Sequence, residues 1–151
     1  MIARGKRLVV AGVVAVILLI AISASAQIYR YYKPGSVFTL TLIKVNSGMD
    51  AAYLQYLDTQ LKKDSEAQIK AKYMKSYKIL RSLDDDEAGW NLIILREYES
   101  LAAFEANEEK ADALSREVLS EDDQKQMQGY TDRSKVRQIV ATKTMREFIL
   151  K

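Results

Sequence analysis

Twice along the chain a run of β-branched and aliphatic residues gives way to apolar positions spaced three and four apart, and the order of these two periodicities restricts the fold more than any other feature. Val37 to Val45 is apolar or β-branched throughout, with Thr39 and Thr41 interleaved and Phe38, Leu40 and Leu42 on one face, which predicts a first strand. Ser47 and Asp50 have the spacing of a capping box. Met49, Ala52, Tyr53, Tyr56, Leu57 and Leu61, with Ile69 and Tyr73 on roughly the same face, then predict a helix to about Met74, broken near Asp64.

Ser76 to Leu83 predicts a second strand, and the charged, glycine-terminated stretch Asp84 to Gly89 a hairpin connection. Trp90 to Tyr98 holds the apolar run Leu92 to Leu95, as expected of a central strand buried on both faces. Ser100 caps a second helix with Leu101, Phe104, Ala111, Leu114 and Val118 on its inner side. Ser120 with Asp123 predicts a short further helix that buries Met127 and Tyr130 and is ended by Gly129 and Thr131. Lys135 to Leu150 reads as a long last strand.

The resulting order, β-α-β-β-α-β, is that of an α+β domain in which two right-handed halves build a four-stranded antiparallel sheet with the helices on one face. Strands one and three are central. Their second faces, taken as Thr39, Thr41, Ile43, Ile93 and Leu95 on one choice of register, need a cover, and a second copy of the same sheet supplies one at least cost.

Residues 1–26 differ from the rest. Arg4, Lys6 and Arg7 precede an uncharged run from Leu8 to Ile22, and Ala24-Ser25-Ala26 supplies small residues, the three-part order of a signal peptide cleaved after Ala26. The alternative is an uncleaved membrane anchor, because Leu8 to Ala26 as a helix would reach roughly 28 Å, close to the ~30 Å of a hydrocarbon core. Either reading puts the domain outside the cytoplasm, secreted or periplasmic in the first case and membrane-tethered in the second. Residues 27–35 form an aromatic, basic leader ending in Pro34-Gly35, and residues 36–151 the folded domain.

The chain has 23 Lys plus Arg against 20 Asp plus Glu, and the three basic residues of the export segment account for the whole excess. The domain itself is formally neutral, so charge gives no argument for nucleic acid or anionic lipid. With no cysteine, no disulfide framework is available and packing must hold the fold. With no histidine either, Ser-His-Asp and Cys-His catalysis and the usual zinc sites are excluded.

The stretches Val37-Phe38-Thr39-Leu40 and Asn91-Leu92-Ile93-Ile94-Leu95-Arg96-Glu97-Tyr98-Glu99-Ser100-Leu101-Ala102-Ala103-Phe104 resemble the dimeric α+β barrel superfamily. These are ferredoxin-like domains whose two sheets face each other across a dimer, and the likeness is to the NIPSNAP-like and antibiotic-biosynthesis-monooxygenase-like branches. The resemblance implies a homodimer. It transfers no catalytic residue, because members that handle haem or reactive substrates commonly use a histidine near the cavity, and none exists here.

Arg96-Glu97-Tyr98 and Arg146-Glu147-Phe148 repeat one basic-acidic-aromatic order late in two strands, with the Arg and the aromatic on the same face. Read functionally, Arg96, Tyr98 and Arg146, with Trp90 as a stacking surface, line a pocket for a small anionic or aromatic ligand; read structurally, they are cross-strand ion pairs and packing. Asp84 to Glu87 is a solvated hairpin or a calcium loop, and the second reading suffers from Ala88 standing where an EF-hand spacing wants Asp or Asn. No catalytic residue, metal or cofactor is assigned. The chain reads as an exported, non-catalytic ligand-binding or interaction protein, with a cofactor-independent monooxygenase- or isomerase-like enzyme acting in the barrel cavity as the alternative.

Overall fold

A computed structural model describes residues 31–83 and 89–151. The export segment and the acidic Asp84–Glu87 stretch, with the calcium reading attached to it, lie outside the described residues. The chain divides into two compact units, Gly35–Glu147 and a smaller one whose described residues are 31–34 and 148–151. In the smaller unit the Tyr32 ring stacks on Phe148 at 4.0 Å between centroids, and the Lys151 amide donates to the Tyr31 carbonyl at 3.1 Å.

The element order is β1 (Tyr32–Val45), α1 (Asp50–Tyr56), a π-helical turn (Leu57–Leu61), α2 (Lys62–Lys70), β2 (Ser76–Arg81), β3 (Leu92–Tyr98), α3 (Leu101–Leu119), α4 (Asp123–Val136) and β4 (Arg137–Leu150). The four strands form one sheet in the order β2-β3-β1-β4, with β1 and β3 central as the βαββαβ order requires. β3 pairs antiparallel with both β1 and β2. The side chain of Asn91 extends the β1–β3 ladder by one step: Asn91 Oδ1 accepts from the Val45 amide at 2.8 Å and its Nδ2 donates to the Val45 carbonyl at 3.3 Å.

Register fixes the two faces. Leu40 lies opposite Leu95 and Leu42 opposite Ile93, whereas Thr41 lies opposite Ile94 and Ile43 opposite Leu92. Because side chains alternate along a strand, Val37, Thr39, Thr41, Ile43 and Val45 share a face with Leu92, Ile94, Arg96 and Tyr98. The helices cover this face. Ile43, Val45, Leu92 and Ile94 pack there with Tyr53, Leu57 and Leu61 into one core cluster. The expectation that Thr39, Thr41 and Ile43 occupy the face away from the helices is therefore corrected. Ile93 and Leu95 do lie on that second face, together with Phe38, Leu40 and Leu42, and all five are partly exposed.

The first helical segment spans most of the expected length without a break at Asp64. Instead, its buried residues Tyr53, Leu57, Leu61 and Ser65 recur every four positions. In a regular α-helix that spacing drifts by about 40° per step. The π turn at Leu57–Leu61 takes up the extra residue and holds the four on one side. The segment ends at Lys70 rather than Met74, followed by Lys72 at φ 63°.

Ser47 does not cap it. No side chain caps the N-terminus, and Asp50 pairs with Arg81 across to β2. Ser100 does cap α3, its hydroxyl accepting from the Ala103 amide at 3.1 Å. The last helix is capped by Asp122, not Ser120, and runs through Gly129 and Thr131 to Val136. It leaves Met127 and Tyr130 exposed rather than buried.

Candidate functional site: a cavity between sheet and helices

Strand alternation puts Arg96 on the helix-covered face of a central strand, two residues beyond the buried Ile94. Thr39 stands opposite it, so the guanidinium enters the space between sheet and helices. Arg137, the first residue of β4, reaches the same space, and α1 contributes Tyr53 from the other side. These three residues line a cavity of about 270 Å³. Its apolar wall includes Ile43, Leu61, Ile94, Leu119 and Ile139.

Two donors in this cavity are buried without a hydrogen-bond partner, the Tyr53 hydroxyl and Arg137 Nε. Tyr53 is only 1% exposed, so water does not satisfy its hydroxyl at the surface. Burial raises the Tyr53 pKa above its ordinary value; nearby Arg137 and Arg96 pull it down and Tyr56 pushes it up. Arg137 lowers the hydroxyl's pKa both by its charge and through an incipient hydrogen bond, although the two groups do not meet in full hydrogen-bond geometry. At neutral pH the phenol keeps its proton and can donate it to an acceptor.

Of the remaining lining charges, Arg133, Asp112 and Asp64 have partners. The Arg133 guanidinium lies over the rings of Tyr56 and Tyr130, at 5.1 and 4.7 Å from their centroids. Asp112 pairs with Arg116 at 2.9 Å, and Asp64 accepts from Gln68 and Ser115. Neither Arg96 nor Arg137 meets a carboxylate within 4 Å among the described residues. Among those same residues no group of three or more metal-ligating side chains occurs.

Of the four residues singled out from the sequence, only Arg96 lines this cavity. Tyr98 is buried on the same face but packs edge-on against Phe104, with centroids 4.7 Å apart. Arg146 is exposed on β4, and Trp90 is half-buried ahead of β3. Arg137 and Tyr53 escaped sequence reasoning because the first belongs to no motif and the second falls at ordinary helical core spacing. One signal was present: in the alternating series Leu92, Ile94, Arg96, Tyr98, a guanidinium takes a core-facing place.

A second polar cluster sits on the other face of the sheet. Glu97 lies opposite Ser76, whose hydroxyl donates to Oε2 at 2.7 Å, while the Ser36 hydroxyl donates to Oε1 at 2.7 Å. Lys75 closes the group, 3.0 Å from Glu97 and 3.7 Å from Glu99. The two serine hydrogen bonds, then Lys75, lower the Glu97 pKa from 4.5 to about 2. The hydrogen bond to Glu97 in turn raises that of Lys75. This lysine is protonated and cannot serve as a base toward Ser36, although Nζ and Oγ are 2.8 Å apart.

The sheet order, the antiparallel pairing and the helices on one face define a ferredoxin-like α+β domain. Its structural neighbours are dimeric ferredoxin-like proteins, a NIPSNAP family protein and a protein with a monooxygenase assignment. One is a dimeric ferredoxin-like protein from an uncultured marine organism, 12% identical over 79% of this chain and 90% of that one, with a TM-score of 0.50. Another is a NIPSNAP family protein with unknown function from Agrobacterium tumefaciens str. C58, at 11% identity, 78% and 90% coverage and a TM-score of 0.46. A third, from Shewanella loihica PV-4, carries a provisional assignment as a monooxygenase, at 16% identity, 77% and 93% coverage and a TM-score of 0.41. No protein-family model matches the sequence, and no curated protein matches it. Likeness at these identities concerns fold, and function has to be argued from the site.

Proposed function

We propose that this is an exported, non-catalytic protein that binds a small ligand in the cavity between sheet and helices and works as a homodimer. The observation that carries the reading is the pair of buried, unpartnered donors, Tyr53 Oη and Arg137 Nε, on two residues that line one cavity. An unsatisfied buried polar group costs about 1–3 kcal/mol, so two in one place are an arrangement that a bound acceptor relieves. The cavity, at about 270 Å³, is near the lower end of the roughly 300–1,000 Å³ common for ligand pockets. The hydroxyl–carboxylate pair of the lining, Ser115 donating to Asp64, is also tied to Gln68 and to the Ala111 carbonyl of its own helix, a structural use that favours binding over turnover.

Dimerisation is supported by the apolar row Phe38, Leu40, Leu42, Ile93 and Leu95 on the second face, and by a neighbour of the same fold described as dimeric. Export rests on the three-part pattern of residues 1–26. Native mass spectrometry of the protein from its own host tests all three points at once. The expected species is a dimer beginning at Gln27 that sheds a small-molecule mass on activation. A monomer that Ile93→Asp leaves unchanged sinks the dimer, and a ligand-free spectrum with no stabilisation by any small molecule in a thermal-shift screen sinks the binding role.

A further inference from the structure

Resting on the cavity as a ligand site, we infer that its ligand is a small monocarboxylic acid with an apolar, preferably aromatic, body, whose carboxylate meets Arg96, Arg137 and Tyr53. The hydrogen-bonding capacity of the buried donors sets the first limit on the ligand. Arginine only donates, so the atom that satisfies Arg137 Nε must be an acceptor, and the Tyr53 hydroxyl has a proton to give to the same group. An ammonium group leaves Arg137 Nε unsatisfied and adds positive charge beside two guanidiniums.

Charge then narrows the acceptor. Arg96 and Arg137 have no carboxylate within 4 Å among the described residues, so an ionised acid supplies what they lack better than a neutral amide. The rest of the lining sets an upper limit on that charge. Asp64, Asp112 and Glu121 stand elsewhere on the same wall, so a second negative group on the ligand meets like charge. One anionic group is favoured over two.

The wall and the volume describe the remainder. Ile43, Leu61 and Ile94 are each at most 4% exposed, and an inorganic anion would leave this apolar surface without a partner. A dry cavity of about 150 Å³ accepts benzene. The space here is larger by roughly the volume of a carboxylate and a short linker. Phenylacetate is the natural probe.

The test is calorimetric titration of the full chain with phenylacetate, and with phenylacetamide, phenethylamine and sulfate as comparison probes. Phenylacetate should bind at least tenfold more tightly than the amide, and neither the amine nor sulfate should match it. Arg96→Gln and Arg137→Gln should each weaken phenylacetate binding about tenfold or more, and Tyr53→Phe severalfold. Arg146→Gln, at an exposed position, should leave it unchanged. Should Arg137→Gln melt early, Arg137→Lys keeps the charge and tests the same contact.

Equal binding of the amide overturns the carboxylate while leaving a ligand site standing. Equal binding of sulfate removes the apolar body. If none of the four probes binds and native mass spectrometry finds no retained small molecule, the inference and the ligand-binding reading fall together.

Discussion

Replacing Glu97 by Gln separates what its charge contributes from what its shape contributes. The side chain has one serine hydroxyl on each oxygen and Lys75 at 3.0 Å, which together hold its pKa near 2 instead of 4.5. A depressed carboxylate adds stability that is fully present above its unfolded-state value and disappears as pH falls through its folded-state value. The window here runs from about pH 4.5 down to about pH 2. At about 1.4 kcal/mol per pH unit, the displacement sets a ceiling of about 3.4 kcal/mol.

The glutamate side chain is 23% exposed and the lysine 42%, so water screens much of that, and about 1.5 kcal/mol is the expected loss in Glu97→Gln at pH 7. Urea denaturation of both proteins at pH 7, 5, 4 and 3 measures it. The deficit should hold from pH 7 to 5 and shrink toward pH 3, where the wild-type carboxylate begins to protonate. A deficit that persists undiminished at pH 3 would refute the electrostatic account and assign the effect to packing. No deficit at pH 7 would show that the serines and Lys75 stabilise the charge no better than water does.

Further substitutions probe the fold. Ile43→Ala removes a side chain that is 1% exposed at the centre of the core and should cost about 2–5 kcal/mol in the same assay. Gly35→Ala would bring a Cβ to 2.9 Å from the Glu147 Cβ, forcing aside the carboxylate that accepts from the Ser36 amide; a loss of about 1 kcal/mol is expected, and little further loss when Glu147→Ala is added. Ser100→Ala should cost about 1 kcal/mol, while Ser120→Ala, where the hydroxyl does not cap α4, should cost much less.

The βαββαβ order was legible because each change of hydrophobic period marks an element boundary that turn chemistry then confirms, as at Ser100. The faces of β1 were not. Val37, Phe38, Leu40, Leu42 and Ile43 are apolar on both sides, so alternation cannot say which side meets the helices, and Thr39 and Thr41 suggested an outward face when they lie inward. The cavity was legible at Arg96 alone. Its other donors arrive from distant parts of the chain, Tyr53 on α1 and Arg137 at the head of β4, and only the tertiary fold makes them neighbours. Gly129 misled for a different reason: it costs a helix interior about 1 kcal/mol relative to alanine, and α4 runs on through it.

The π turn at Leu57–Leu61 makes this chain sensitive to counting. Remove one residue between those two leucines, Thr59 for instance, and the backbone relaxes into an ordinary α-helix whose later turns keep their direction, because the π turn is where one extra residue is absorbed. Forced into α geometry with every residue kept, the same segment would instead carry Ser65, fully buried at 0% exposure, about 120° round from Tyr53 and off the side they share. The helix therefore encodes a phase as well as a length. Any comparison or redesign of it has to treat the segments on either side of Leu57–Leu61 as separately indexed, because a one-residue gap at the π turn leaves both in phase, whereas a gap elsewhere in the helix does not.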